Sequence, residues 1–477
     1  MRRTLLITIA STLVIGCTRQ APAPDPQYVA QWLRSSLSFV RSERLGPPVA
    51  SRISAYGALA LYEGYAADRN SGLSSLAPRL NGLTSVPAAP ADGVDGAIVA
   101  AEAERIVLDS LFRDGFASTR NTIDSLAAAQ MAGRKAAGVT EALAESSANH
   151  GRSLGAAILA WAATDGFFAT RKRTWAPSGK REEWENTITQ DQFVPIMLSG
   201  ESDLVAPTNP GVAMELERAG ERFVFTNRPK NSAGTTLPTF NPVRPTEPYW
   251  GELRTFALRD GDECAPPAPP AYSDREGSGF WKMGKEFADS VNGLTPEKKQ
   301  IALFWADNPV ATGTPGFHWI SVVNQMIDRR KLSAPQAAEL YALTSIAIAD
   351  AFIGCWKEKY RSFVVRPVTY MHRAFDKSFT TVIPTPPFPE YPSGHSVQSA
   401  AAVRVLTALL GDTISFEDST QVDIGQPPRH FVNFTAALKE VAISRVYAGV
   451  HYMPAVIDGM AQGQCIGDRV LERLHNR

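Results

Sequence analysis

Three short stretches in the last part of the chain carry the residues best suited to chemistry: "KEKYRSFVVRP" (357–367), "YPSGHSVQSAAAV" (391–403) and "SRVYAGVH" (444–451). In the first, Phe352, Cys355 and Trp356 mark an apolar helix face whose next member is Lys359. Arg366 follows, biased to an extended backbone by Pro367. In the second, Ser393 is a good N-cap, and Gly394 frees the first helical turn that also holds His395. In the third, Leu438, Val441 and Ala442 define a face whose next member is Arg445, and His451 comes after Gly449. A cation on a core face needs an anion, because burying it unpaired is prohibitive. Lys359, Arg366 and Arg445, with the open N–H groups at Gly394, make a ring suited to an oxyanion. Two imidazoles add what a static anion site does not need. One can bond to the central atom while the other moves a proton.

The elements that position these residues read as helices almost throughout. Val29, Leu33, Leu37 and Val40 recur at helical spacing, and "ISAYGALALYEGYAADR" continues in the same style. "DGAIVAAEAERIVLDSLF" and an Ala-rich run from about Ser118 to Thr170 add further helices, whereas strand signals are scarce. The character changes between roughly Arg171 and Ser278, where Pro and turn residues crowd a stretch too long for a simple connection. Helical signals resume at Thr295–Pro296, and a longer helix is expected from about Pro335 to Tyr360. Long helices joined by short turns imply a bundle.

With 477 residues, 48 of them basic and 48 acidic, the chain has ample core and no global field favouring nucleic acid. Its first residues, "MRRTLLITIASTLVIGCTRQ", have the positive start and short apolar run of a targeting segment. They end in "VIGC", which resembles a bacterial lipobox with Cys17 as the lipidated residue. The expectation is an extracytoplasmic protein, lipid-anchored to a bacterial membrane, with no apolar run after residue 20 long enough to span one. Cys264, Cys355 and Cys465 allow one disulfide at most and read as structural. His318 could line the pocket mouth, Trp250 and Trp319 read as packing, and His372 and His430 carry no assigned role.

The three stretches resemble the tripartite signature of the type 2 phosphatidic acid phosphatase and vanadium haloperoxidase superfamily. That signature is Lys, six residues, Arg-Pro; then Pro-Ser-Gly-His; then Ser-Arg, five residues, His, three residues, Asp. "PEYPSGHSVQSAAA", "FWADNP" and "TPGFHW" are further similar to the soluble bacterial haloperoxidase-like proteins. The resemblance implies an all-α fold of two helical bundles with the anion site in the C-terminal one. It divides the chain into a lipoprotein signal (1–17), a tether (18–27), an N-terminal bundle (28–225), a Pro-rich connection (226–278) and the site-bearing domain (279–477). It assigns Lys359, Arg366, Ser393, Gly394 and Arg445 to the equatorial oxygens of bound vanadate, or of phosphate. It makes His451 the axial ligand or the phosphohistidine nucleophile, and His395 the general acid–base. The leading expectation is halide oxidation by hydrogen peroxide, because lipid phosphatases need several spanning helices and soluble acid phosphatases of the superfamily are much shorter. Phosphate monoester hydrolysis and a catalytically silent oxyanion- or glycan-binding lipoprotein are the alternatives. Oligomeric state is not indicated. One position departs: Ala455 stands where the pattern expects an Asp to orient the histidine, and Asp458 lies nearby at a different offset.

Overall fold

The computed structural model describes residues 21–170, 173, 175, 178–187, 245–307 and 312–475, with the backbone of two short strands, Leu216–Ala219 (β1) and Arg222–Phe225 (β2). Cys17, the targeting segment and most of the region between 188 and 244 lie outside these residues. Fourteen helices follow one another among the described residues. The first six are α1 (Gln27–Ser42), α2 (Pro47–Ala66), α3 (Gly96–Leu111), α4 (Ala117–Ala136), α5 (Glu141–Ala162) and α6 (Phe167–Thr170). The remainder are α7 (Gly279–Val291), α8 (Pro296–Phe304), α9 (Thr314–Arg329), α10 (Ala334–Ser362), α11 (Pro367–Ala374), α12 (Gly394–Leu410), α13 (Phe434–Tyr447) and α14 (Met453–Leu474). The only other described ladder is a three-residue pair, β3 (Phe416–Asp418) with β4 (Arg429–Phe431). The fold is all-α, as the periodicity predicts.

Helix α10 organises the rest. Ser333 and Gln336 form a capping box at its start, and Pro335 sits where its missing N–H costs nothing. One side packs on α2 and the other on α12 and α14, so a continuous apolar core runs from Val29 to Leu474. Its composition corrects one sequence reading: α10 is long and apolar enough to cross a membrane, with a mean hydropathy of 1.4 over its best window. That window is 94% buried inside the protein, which accounts for the apolarity as a core helix. Near its middle, fully buried Asp350 accepts from the backbone N–H groups of Phe256, Ala257 and Leu258 at 2.6, 2.8 and 2.9 Å. The connection is thereby laid along the helix, and Trp250 is packed in the core as expected.

Helices α12 and α14 meet at backbone distance. A Cβ on Gly463 would fall 2.1 Å from the Val397 carbonyl oxygen, so only glycine admits this approach. The close contact fixes the start of α12, where the site is built. Cys264 of the connection is bonded to Cys465 of α14, closing a loop of 201 residues in sequence separation, and Cys355 is free and buried. A loop this long restricts the unfolded chain strongly. Replacing Cys264 and Cys465 by Ser should lower the unfolding free energy by about 2–5 kcal/mol. Urea denaturation of the two proteins checks this, and coincident midpoints would contradict a stabilising bond.

Candidate functional site

Each cation reaches the site from an element end. Lys359 lies in the last turn of α10, which stops when Phe363 adopts a left-handed φ of 53°. Arg366 is the N-cap of α11 with φ −70° and ψ 152°, the extended geometry its following proline favours. Arg445 ends α13, after which Gly449, at φ 83°, turns the chain to His451. All four side chains are buried, at 0% exposure for Lys359 and Arg366 and 1% for Arg445 and His451. Ser393 caps α12, its hydroxyl accepting from Ser396 N–H at 3.4 Å, with Gly394 and His395 in the first turn. The three signature stretches therefore meet in one pocket of the C-terminal half.

Backbone carbonyls line that pocket. Lys359 Nζ donates to the carbonyls of Pro389, Glu390 and Pro392 at 2.9, 2.9 and 2.5 Å. Arg366 donates to Phe388 at 2.9 Å and Val450 at 2.8 Å, and Arg445 to Trp305 at 3.0 Å. Several of these acceptors belong to "IPTPPFPEYP" (383–392), where each proline offers a carbonyl without an N–H to satisfy. The carbonyls do not saturate the cations. Arg366 Nη2, Arg445 Nε and His395 Nε2 are buried and make no hydrogen bond. Burial pushes the Lys359 ammonium down to about 7, with Arg366 and Arg445 adding to the effect. Arg366 falls to about 9 and Arg445 to about 10, again chiefly through burial. Such groups keep their charge more readily when an anion enters among them.

Burial disfavours the charged form of both imidazoles. Burial and the Arg366, Lys359 and Arg445 cations hold His451 well below the usual histidine range; burial and Arg445 do the same for His395. His451 Nδ1 lies 2.8 Å from Glu390 Oε1, which also accepts from Tyr452 N–H at 3.0 Å. Donation from Nδ1 leaves the lone pair on Nε2, which faces Arg366 Nη1 at 3.1 Å. The Nε2 lone pair accepts from Arg366 Nη1 here and can act as a nucleophile or ligand once that guanidinium turns to a bound anion.

Glu390 resolves the departure at Ala455. It takes the orienting role from the opposite side of the histidine, while Asp458 accepts instead from the Tyr391 hydroxyl at 2.9 Å. Its isolated place in a Pro-rich loop gave no periodic signal; only a carboxylate among apolar and proline residues marked it. Asp307 is a second addition. Its Oδ2 lies 3.7 Å from His395 Nε2, and its charge supports the Arg445 guanidinium against burial. His318 is buried, bonded to Asp307 at 2.8 Å and Asp418 at 2.7 Å, and with Asp307 it lines a small cavity that also takes in Arg41 and Asp423. Trp319 is packed, its indole N–H donating to Ser399 at 2.7 Å. His372 bonds the Phe379 carbonyl, and His430 lies on β4, both outside the cradle. Among the described residues no group of three or more His, Cys, Asp or Glu is arranged to hold a metal cation. The inward-facing set is cationic and suits an oxyanion.

Comparison with known proteins gives this arrangement relatives. The family model described as VCPO second helical-bundle domain matches residues 339–477. Vanadium chloroperoxidase of Curvularia inaequalis is 24% identical over 231 residues, 36% of this chain, and the match spans only 38% of that protein's length. Among solved structures, one described as the first bacterial vanadium-dependent iodoperoxidase superposes with a TM-score of 0.76 at 32% identity, covering 94% of this chain and 96% of the other. A holo-type bacterial vanadium-dependent chloroperoxidase has a TM-score of 0.62 at 17% identity, covering 95% and 96%, a likeness of fold.

The unsaturated guanidinium of Arg445 gives the site its first test. Arg445→Ala should weaken binding of inorganic phosphate, as a tetrahedral probe, roughly 10- to 100-fold. Titration calorimetry on the folded variant measures it, and an unchanged affinity would place the anion elsewhere.

Proposed function

We propose that this chain, which belongs to the vanadium-dependent haloperoxidase family, oxidises halide with hydrogen peroxide at a vanadate bound through His451. The observation that carries this reading is the buried ring of Lys359, Arg366 and Arg445, with unpartnered nitrogens, around a histidine whose lone pair Glu390 turns inward. The fit is chemical. A vanadate anion offers acceptor oxygens to Arg366 Nη2 and Arg445 Nε and negative charge to three cations whose charged forms burial disfavours.

Lys359, Arg366, Arg445, the Ser393 hydroxyl and the Gly394 N–H would hold the oxygens of bound vanadate, and His451 Nε2 would be the ligand to its vanadium. Bound vanadate supplies Lewis-acid activation of peroxide without changing its oxidation state. Glu390 keeps the His451 proton on Nδ1, so that Nε2 carries the lone pair. His395 Nε2, which makes no hydrogen bond and faces Asp307 Oδ2 at 3.7 Å, accepts the proton that hydrogen peroxide gives up on entering and returns it as water leaves. The overall reaction takes halide, hydrogen peroxide and one proton to hypohalous acid and water. Dry walls around the pocket keep these charges effective and limit competing hydrolysis.

We also propose the extracytoplasmic, lipid-anchored location. The Cys264–Cys465 bond supports it, since disulfides persist in oxidising compartments.

The test uses purified full-length protein, freed of phosphate and reconstituted with orthovanadate. Iodide, the most easily oxidised of the usual halides, and bromide are supplied with hydrogen peroxide and a phenolic dye. Vanadate-dependent halogenation is expected, abolished in His451→Ala and reduced by about 100-fold or more in His395→Ala. Folded, vanadate-loaded protein that oxidises neither halide would overturn the reading, and phosphate ester hydrolysis would then be the activity to measure.

A further inference from the structure

Behind His395 lies a buried cluster that the cradle does not include. His318, in the second turn of α9, has one ring nitrogen 2.8 Å from Asp307 Oδ1 and the other 2.7 Å from Asp418 Oδ2. The side chains of all three are at most 2% exposed. Ionised carboxylates only accept hydrogen bonds, so an imidazole bridging two of them must donate from both nitrogens. Trp305 stacks on the ring at 4.4 Å and 22°, a face that favours a cation.

The two carboxylates have separate duties. Asp418 accepts from Thr420 N–H at 3.0 Å and from His318, and bonds nothing in the cradle. Asp307 uses Oδ1 for His318 and for Gln421 Nε2 at 2.5 Å, leaving Oδ2 directed at His395 Nε2, 3.7 Å away. Two carboxylates in one dry pocket cannot both stay ionised without a cation between them. The other charges facing the cluster lie further out or serve other partners. Arg41 of α1 pairs with Asp423 at 3.6 Å, Glu440 of α13 takes the Trp305 indole N–H and Arg429, and Arg445 bonds the Trp305 carbonyl.

We infer that His318 is a positioning residue for the halide oxidation: an imidazolium clamped between Asp307 and Asp418, which holds Asp307 in place with its second oxygen turned to His395. The inference rests on the proposed function for its role in turnover, but the clamp itself is a property of the unloaded protein. Arg445 and, next, the His318 ring oppose protonation of His395. Asp307 Oδ2, 3.7 Å from His395 Nε2, is the carboxylate oxygen that faces His395 as it takes up its proton. Burial works against a charged His318, yet the two carboxylates outweigh it and push its pKa up to about 10, while Asp418 falls below the usual carboxylate range. The clamp therefore persists through neutral pH and is released only as pH rises toward 10.

Histidine-selective nitrogen NMR on the unloaded full-length protein reads the clamp directly, with His318→Gln providing the assignment. Both His318 nitrogens should stay protonated from pH 6 to 8.5; a neutral or titrating ring in that interval would overturn the inference. This arm stands or falls without any halide oxidation. Turnover provides the second arm. His318→Gln should lower kcat roughly 10- to 100-fold and alter its pH profile, because one proton is then shared by two carboxylates. Adding Asp418→Asn should restore most of the loss, since a single carboxylate needs no counter-cation. A folded double variant as poor as the single one would reduce His318 to a packing residue. Should His318→Gln fail to fold, Asp418→Asn alone is informative: near-normal turnover with His318 still protonated supports the clamp, and a neutral His318 overturns it.

Discussion

Three cations held out of water in one pocket are the constraint on which the rest of this structure depends. Lys359, Arg366 and Arg445 come from different elements, and each is delivered by the end of a helix rather than its middle. Carbonyl dipoles from the loop at 383–392 and from Val450 and Trp305 make their burial tolerable, and the proline content of that loop lets it offer acceptors without burying orphan donors. Dipoles compensate a charge only partly. Arg366 Nη2 and Arg445 Nε remain without hydrogen-bond partners, donors of the kind a many-oxygen anion would satisfy.

What was legible in the sequence followed from periodicity. Lys359 and Arg445 stood out because each occupied a position that the helical pattern assigned to an apolar residue, and the structure buries both. Ser393 and Gly394 were legible as a helix start, and the all-α fold as a succession of amphipathic segments. Glu390 was not, because a Pro-rich loop has no period against which a carboxylate looks misplaced. Asp307 and His318 stood in "FWADNP" and "TPGFHW", with His318 a candidate for the pocket mouth, but their pairing was silent: it appears only when β3 and the chain after α8 bring two carboxylates to opposite nitrogens of the ring. Long-range charge compensation leaves no mark on local spacing. The apolarity of α10 was legible but ambiguous, since the same composition serves a membrane span and the axis of two packed bundles.

Helix α10 also explains why the N-terminal half matters to a site it does not enter. Asp350 fastens the connection to the helix, and further along Trp356 and Tyr360 both donate to the Thr246 carbonyl, at 2.9 and 2.8 Å. Lys359 lies between those two aromatic anchors' turns, so the position of its ammonium is set by packing on both sides of the helix.

The cysteines have a chemical consequence under the proposed function, in which the protein releases an oxidised halogen. Hypohalous acids consume thiols faster than almost any other side chain, and an enzyme is the first target its own product meets. Here two cysteines are already joined, and the third, Cys355, lies behind the start of α12 with its sulfur 3.8 Å from the Pro392 carbonyl. Among the described residues no thiol faces solvent. The arrangement that ties the connection to the last helix thus also removes the groups through which the catalyst would be bleached by its own chemistry.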